Sequence, residues 1–393
     1  MQAAATEADP ISWLATQHDA MVALLRDLVD IDGGSYDKPA VDAVGARIAA
    51  FLATQGIRTE TLPRPRFGDG LRAEVAGGEA VGGNARRNIL LLGHRDTVFP
   101  KGEPTRRPFT IEGNRAFGPG VADMKAGLVM NAFLLAAFHR FGGAPAPLVG
   151  LFTGDEEIGS PEGRAMIEAE ARAARAVFNS EPGRPDGSVV TGRKGGVFMA
   201  VRITGRAAHS GGNFEQGISA IGELAAKITA IHALTDLERG ITLNVGLVSG
   251  GQSVNTVAPE AEGQIDLRYV TPADRDEVMG RIEAIIATSF VPGTKAALTI
   301  KGEFLPLTQN AGSAALFAAY KEAATESGFT PGAAFSGGCA DSGFTAAMGA
   351  PTLCAVGPVG GKAHTPEEYL ELDSLVPRAQ AAARAIQALG RRD

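Results

Sequence analysis

Residues 151–160 read LFTGDEEIGS, an apolar run that passes through a glycine into three acids. The run begins at Pro147, ends at Phe152, and is followed by Gly154 and then Asp155, Glu156 and Glu157. A short apolar run closed by a turn signal suits a buried strand. Acids just beyond its end put negative charge where open α/β sheets bind their ligands, outside the carboxyl ends of the strands. Alone, such a triplet is an ordinary solvated loop. It has company, however. Three other strand-end signals carry metal-type ligands: His94 and Asp96 in LLLGHRDTVFP, Asp123 in FGPGVADMKAG, and Glu181 in AVFNSEPG.

Outward from this stretch, strands alternate with helices. Asn88–Leu92 and Ala176–Asn179 read as strands, and 39–55 and 123–141 as helices, with a further helix opened by Ser160-Pro161-Glu162. At the N-terminus, Asp9-Pro10 starts a helix predicted to run through Trp13, Leu14, Met21, Leu24, Leu25 and Leu28. Such alternation predicts a mixed, mostly parallel sheet. Near residue 190 the pattern changes. Val197, Met199, Val201 and Ile203 alternate with Phe198, Ala200 and Arg202, and Ile265, Leu267 and Tyr269 alternate with Asp266 and Arg268. Half-exposed strands of this kind, with helices at 217–234 and 272–288, predict an inserted α+β, ferredoxin-like domain. From about 307 the α/β character returns. The expected organisation is therefore an α/β domain in two parts, 1–190 and 307–393, interrupted by a domain at 191–306.

Composition excludes several classes. The net charge of −7 and the lack of any Lys/Arg-rich run argue against a nucleic-acid binder. Glycine makes up 51 of 393 residues, about 13% against a usual 7% or so, which fits many tight turns at strand ends. Cys339 and Cys354 form no metal or disulfide pattern and read as small buried hydrophobes. No apolar run is expected to reach membrane-spanning length. MQAAATEADP lacks the basic and apolar regions of a secretory signal, so a cytoplasmic protein is expected.

His94 and Asp96, two apart, point to one side of an extended chain, and a metal-bound His commonly donates its other ring N–H to a carboxylate. Asp123 begins a long apolar helix, where capping would also explain it. His364, in GPVGGKAHTPEEY, precedes a Thr-Pro-Glu-Glu sequence that resembles a helix start. Taken together, the two histidines, Asp123 and the glutamates are ligands that zinc accepts. An aspartate shared between two ions is the arrangement of two-metal hydrolases.

The motifs GHRDTVFP, GPGVADMKAG, TGDEEIGS, SEPG, GRAAHSGG and AHTPEEYLEL, in this order, resemble the zinc metallopeptidase family of glutamate carboxypeptidase, aminoacylases, acetylornithine deacetylase and succinyl-diaminopimelate desuccinylase. The likeness spans nearly the whole chain and is greatest to the glutamate carboxypeptidase branch. It implies a homodimeric di-zinc hydrolase, the metal being Zn2+ or another divalent ion such as Co2+ or Mn2+, that cleaves a peptide or N-acyl amino acid through a metal-bridging hydroxide. It implies that His94, Glu181 and Asp123 hold one ion and that Asp123, Glu157 and His364 hold the other. Glu156 is implied as general base, with Asp96 supporting His94, and a cis peptide is implied at Asp123–Met124. The inserted domain is implied as lid and dimerisation domain. Its His209 would reach a partner's active site and stabilise the oxyanion, while Asn244, Arg268 and Gly338 would contact the substrate.

The sequence departs from the glutamate carboxypeptidase pattern where cations should grip a glutamate. Ser188 stands near an expected lysine, and Lys301-Gly302-Glu303-Phe304 replaces an arginine-bearing turn, with Arg193 and Lys194 as substitutes from other directions. A glutamate there would repel a substrate carboxylate, so a weaker preference for C-terminal glutamate is expected. The rival classes are a serine hydrolase using Ser336, with Asp341 and His364 following in chain order, and a catalytically silent binding protein. The first leaves His94, Asp123, Glu156, Glu157 and Glu181 without a role. The second must explain why every ligand and the base are kept.

Overall fold

The computed structural model describes residues 9–77 and 88–390, and the protein forms two compact units. The first comprises Met1–Gly192, Leu307–Ser336 and Ala340–Asp393, the second Arg193–Pro306 and Gly337–Cys339.

The first unit is built on an eight-stranded sheet in the order Thr59–Leu62, Gly70–Val75, Leu148–Thr153, Asn88–His94, Ala174–Asn179, Thr352–Cys354, Val189–Arg193 and Ala333–Ser336. The four central strands, from Leu148–Thr153 to Thr352–Cys354, are parallel, and antiparallel strands flank them. The Leu148–Thr153 and Asn88–His94 strands are buried along their whole length, as expected of strands covered on both faces. Their register, with His94 opposite Thr153, brings the GHRD and GDEE turns out at one edge.

Several elements differ from the sequence expectation. The first helix is two, Pro10–Ala15 and His18–Val29, because the Thr16 hydroxyl and amide both turn back to Trp13 O and end the first segment. The helix expected from Asp123 begins instead at Ala126: Asp123 and Met124 have non-helical dihedrals, and the Asp123–Met124 peptide is cis. Contrary to expectation, Val121–Arg140 is long and apolar enough to span a membrane by length and composition. Every residue from Ala126 to Phe138 is buried, however, so this is the core helix of the unit. The helix start expected after His364 is a turn leading to the Tyr369–Glu371 strand. That strand pairs with Arg115–Phe117, and the carboxylate of buried Glu368 accepts the amides of Gly120, Ala122 and Asp123 at 2.9–3.0 Å, which holds the segment out of a helix.

The second unit has βαββαβ connectivity. Its antiparallel sheet runs Thr242–Gly250, Glu260–Tyr269, Gly195–Thr204, Lys295–Phe304, with helices Ala220–His232 and Pro272–Ala287. The alternation in the sequence sends Val197, Met199, Val201, Ile203, Ile265, Leu267 and Tyr269 into its core. Gly337–Cys339 joins this unit through Arg193, whose Nη1 donates to Gly338 O and Cys339 O at 3.2 Å.

Candidate metal centre

Five segments of the first unit converge at one edge of its sheet. His94 ends its strand, buried, with Nε2 3.3 Å from Asp123 Oδ1, 3.7 Å from Glu181 Oε1 and 3.9 Å from Glu156 Oε2. The other carboxylate oxygen of Asp123 lies 3.4 Å from His364 Nε2, which is also 3.1 Å from Glu157 Oε2. His364 is placed by the small sheet of Gly360–Gly361 and Tyr369–Glu371, and Glu368 ties that sheet to the amide of Asp123. Ligand atoms of His94, Asp123 and Glu157 lie within 4.8 Å of one another.

Asp96 does more than the expected support of one histidine. Its buried carboxylate accepts the amides of Glu156 at 3.0 Å and Glu157 at 3.1 Å and the hydroxyl of Ser35 at 2.7 Å. His94 Nδ1 is 3.0 Å from Asp96 O and 3.4 Å from Asp96 Oδ1, which leaves Nε2 for the cluster. Glu156 and Glu157 sit on a one-turn 3-10 segment, Glu156–Ile158, and turn toward different histidines.

The electrostatics suit a cation. Burial raises the pKa of Glu157 to about 7, with Asp123 adding to it and His364 opposing. Burial likewise pushes Glu156 well up, aided by Glu181, Asp341 and Glu157. Hydrogen bonds to Asp123 and Glu157 raise His364 to about 10. His94 is held well above its ordinary value by Glu156, Asp123 and Asp96 despite its burial. Asp123, half-buried, is held low by His364 and His94 despite its desolvation. Carboxylates crowded like this repel one another, and divalent charge in their midst relieves them. Glu157 Oε1 is buried with no hydrogen-bond partner, an orphan that a metal ion would satisfy. Two imidazoles and several carboxylates, without a thiolate, form a hard-to-borderline donor set.

The rest of the expected site residues lie in the second unit. The amides of Gly211 and Gly212 donate to His209 Nδ1 at 3.1 and 3.0 Å, so the proton of the neutral ring belongs on exposed Nε2. Asn244 stands opposite Asp266 in the sheet, and Arg268, two residues on, shares that face. Arg268 is not an ordinary exposed residue: Nε donates to Asp266 at 2.8 Å, Nη1 lies 2.7 Å from Cys339 Sγ, and the guanidinium sits over Phe198. Cys339 is accordingly only half-buried against a cation, whereas Cys354 is the buried hydrophobe expected. Lys301–Phe304 is strand, not turn, and Glu303 is ion-paired to Arg275 Nε at 2.6 Å, which weakens the repulsion assigned to it.

Two further acids take supporting roles that only the structure shows. Asp155 accepts the amides of Glu162 and Gly163 and so sets the exit of the acidic turn. Asp341 accepts Ser160 Oγ and, at 3.3 Å, Thr153 Oγ1. With Asp341 so engaged, His364 against Asp123 and Glu157, and Ser336 Oγ accepting from Arg184 at 2.8 Å, no Ser336–His364–Asp341 relay forms.

Residues 90–388 match Peptidase family M20/M25/M40. The chain is 29% identical over 384 residues to carboxypeptidase G2 of Pseudomonas sp., covering 95% of this chain and 90% of that protein. It is 28% identical over 298 residues to an acetylornithine deacetylase of Edwardsiella ictaluri, covering 70% and 75%. Among solved structures, an M20 family metallo-carboxypeptidase from Sulfolobus solfataricus superposes with a TM-score of 0.77 at 18% identity, covering 94% of this chain and 99% of that one. A tripeptidase from Staphylococcus aureus does so with a TM-score of 0.75 at 20% identity, covering 95% and 99%. The chain belongs to the M20/M25/M40 peptidase family and is a hydrolase acting on small molecules, in a family whose chemistry implies a divalent metal.

Proposed function

We propose that this chain is a two-cation amidohydrolase that cleaves the amide of an N-acylated or C-terminal amino acid. The observation that carries the reading is Asp123, whose two oxygens face two different histidines at 3.3 and 3.4 Å. A carboxylate so placed suits a bridge. His94, Asp123 and Glu181 would hold one ion, and Asp123, Glu157 and His364 the other, with Zn2+ best matched to the donors. When bound, such ions lower the pKa of water toward neutrality and polarise the carbonyl to be cleaved. Glu156 accepts the proton of the attacking water and delivers it to the leaving nitrogen. Asp96 supports that role by fixing the Glu156 amide.

The second unit acts as lid and dimerisation domain. Its Thr242–Gly250 strand is an open sheet edge, with Leu247 and Val248 exposed on it and Ile221 exposed nearby on a helix, features that favour pairing with a second copy. His209, with its exposed Nε2–H, stabilises the oxyanion across the dimer. Asn244 and Arg268 receive the substrate carboxylate, beside Gly338. The test is hydrolysis of a panel of N-acyl amino acids, dipeptides and folates followed by mass spectrometry. Turnover should vanish with EDTA, return with Zn2+ and resist a serine-directed phosphonate. Inactivation by the phosphonate with indifference to EDTA would replace this reading with a serine hydrolase.

A further inference from the structure

His94 turns to the cluster and Asp96 to the amides of Glu156 and Glu157, while Arg95, between them, is engaged elsewhere. Its side chain is only 2% exposed and spends its hydrogen bonds on main-chain carbonyls. Nε donates to Thr153 O at 3.2 Å, Nη1 to Val41 O at 3.1 Å and Nη2 to Asp69 O. Burying a guanidinium costs desolvation that a packed apolar side chain would avoid, so stability alone does not account for it.

Each of the three carbonyls bears on the acidic turn. Thr153 lies opposite His94 in register, and its carbonyl also accepts the Arg95 amide at 2.9 Å. That rung comes where both strands end, just before the chain leaves for Gly154, Asp155, Glu156 and Glu157, and Arg95 makes it twice, from amide and guanidinium. Val41 belongs to the Lys38–Thr54 helix, and Asp69 to the segment before the Gly70–Val75 strand. Both lie against Gly154, where a Cβ would come within 2.9 Å of Gly68 Cα and 3.0 Å of Val41 Cγ1. The helix makes room for the guanidinium at Gly45, where a Cβ would collide with Nη1. Asp42, Asp96, Asp69 and Asp155 are near enough to act on its charge.

We propose that Arg95 is a positioning residue of the metal centre, which fixes the entry of the 154–157 turn and with it Glu157 as ligand and Glu156 as base. Consecutive residues of one strand end then hold this turn, Arg95 where it begins and Asp96 at its two glutamates. The proposal rests on the two-cation reading above and adds a residue that touches neither ion nor substrate. A displacement of about 1 Å in such a supporting element can cost on the order of a hundredfold in rate.

Three variants separate holding the turn from filling the core. Arg95→Met keeps the stem and loses every donor, Arg95→Lys keeps the charge and one donor group, and Gly45→Ala keeps Arg95 but displaces its guanidinium. Amide hydrogen exchange on the metal-free protein reads the turn directly. Arg95→Met and Gly45→Ala should speed exchange at Glu156 and Glu157 at least about tenfold, with the Leu148–Thr153 and Asn88–His94 amides unchanged. On Zn2+-loaded protein both should lose about 10–100-fold in kcat with KM within about twofold, and their affinity for Zn2+ should fall. Arg95→Lys should recover part of each loss. Exchange that rises equally across the whole sheet, or parental exchange, kcat and Zn2+ affinity in both variants, overturns the proposal. If Arg95→Met does not fold, Gly45→Ala decides alone. A parent without Zn2+-dependent turnover sinks the two-cation reading, whereas exchange at the turn still judges Arg95.

Discussion

The carboxylate of Asp96 accepts the main-chain amide of Glu156 at 3.0 Å, so the strand end that presents His94 also fixes the turn that presents the proposed base. Asp96→Asn keeps one acceptor oxygen but turns an N–H2 group toward the remaining donors. We expect it to weaken cation binding by about 10–100-fold, the usual cost of losing a partner that orients a ligand. Asp96→Ala should lower thermal stability as well, by roughly 1–3 kcal/mol, because buried amides lose their acceptor. Isothermal titration with Zn2+ and thermal denaturation read the two effects. Unchanged metal affinity in both variants would remove this role.

Glu156→Gln separates base from ligand. It should retain bound metal and lose about 10²–10⁴ in kcat, the usual contribution of a positioned proton-transfer group. Asp123→Ala should lose metal, having stripped a donor from each proposed ion. Elemental analysis beside steady-state assays distinguishes them, and an active Glu156→Gln enzyme refutes the assignment.

Much of this site was legible because its residues sit in short motifs at strand ends, where burial, glycine turns and acids coincide. GHRD and GDEE announced both the strands and the residues that meet beyond them. What escaped depends on partners distant in sequence. Glu368 looked like part of a helix start, since nothing local reveals that its carboxylate caps three amides some 245 residues away. Likewise, the alternation of 197–203 and 265–269 fixed the faces of the second sheet but not that Cys339 would return to Arg268, or Glu303 to Arg275. The apolar run 123–141 was readable as helix, although the helix itself begins at Ala126. Only packing shows that it is a core helix.

Asp341, which lies buried beside the cluster and binds Ser160, gives a pH prediction. Burial raises its pKa from an ordinary 3.8 to about 7, with Asp155 adding and Ser160 opposing. A carboxyl raised in the folded state contributes stability that is present below its unfolded pKa and lost as pH rises through 7. Asp341→Asn lacks that loss. Its stability relative to the parent should therefore climb between pH 4 and 7, by at most roughly 1.4 kcal/mol per pH unit. Denaturant midpoints at several pH values test this, and a flat difference would contradict it.

For the released amino acid, glutamate should be favoured less than tenfold over leucine or phenylalanine in kcat/KM. Ser188 offers no cation, and Arg193 Nη1 is used on the carbonyls of Gly338 and Cys339. A hundredfold glutamate preference, about 2.7 kcal/mol of transition-state binding, would prove this wrong.

Dimer complementation tests His209. Mixing inactive His209→Ala with inactive Glu156→Gln should restore part of the activity in hybrid dimers. A fully active monomer by light scattering at assay concentration rules the arrangement out.

The central claim is that paired cations at Asp123 make the enzyme active, and one titration addresses it. Chelator-stripped protein is reloaded with Zn2+ while bound metal per chain and hydrolysis of an N-acyl amino acid are followed together. The account requires negligible turnover at the start and full activity as occupancy approaches two ions per chain. Full turnover by protein shown to hold no metal would contradict it.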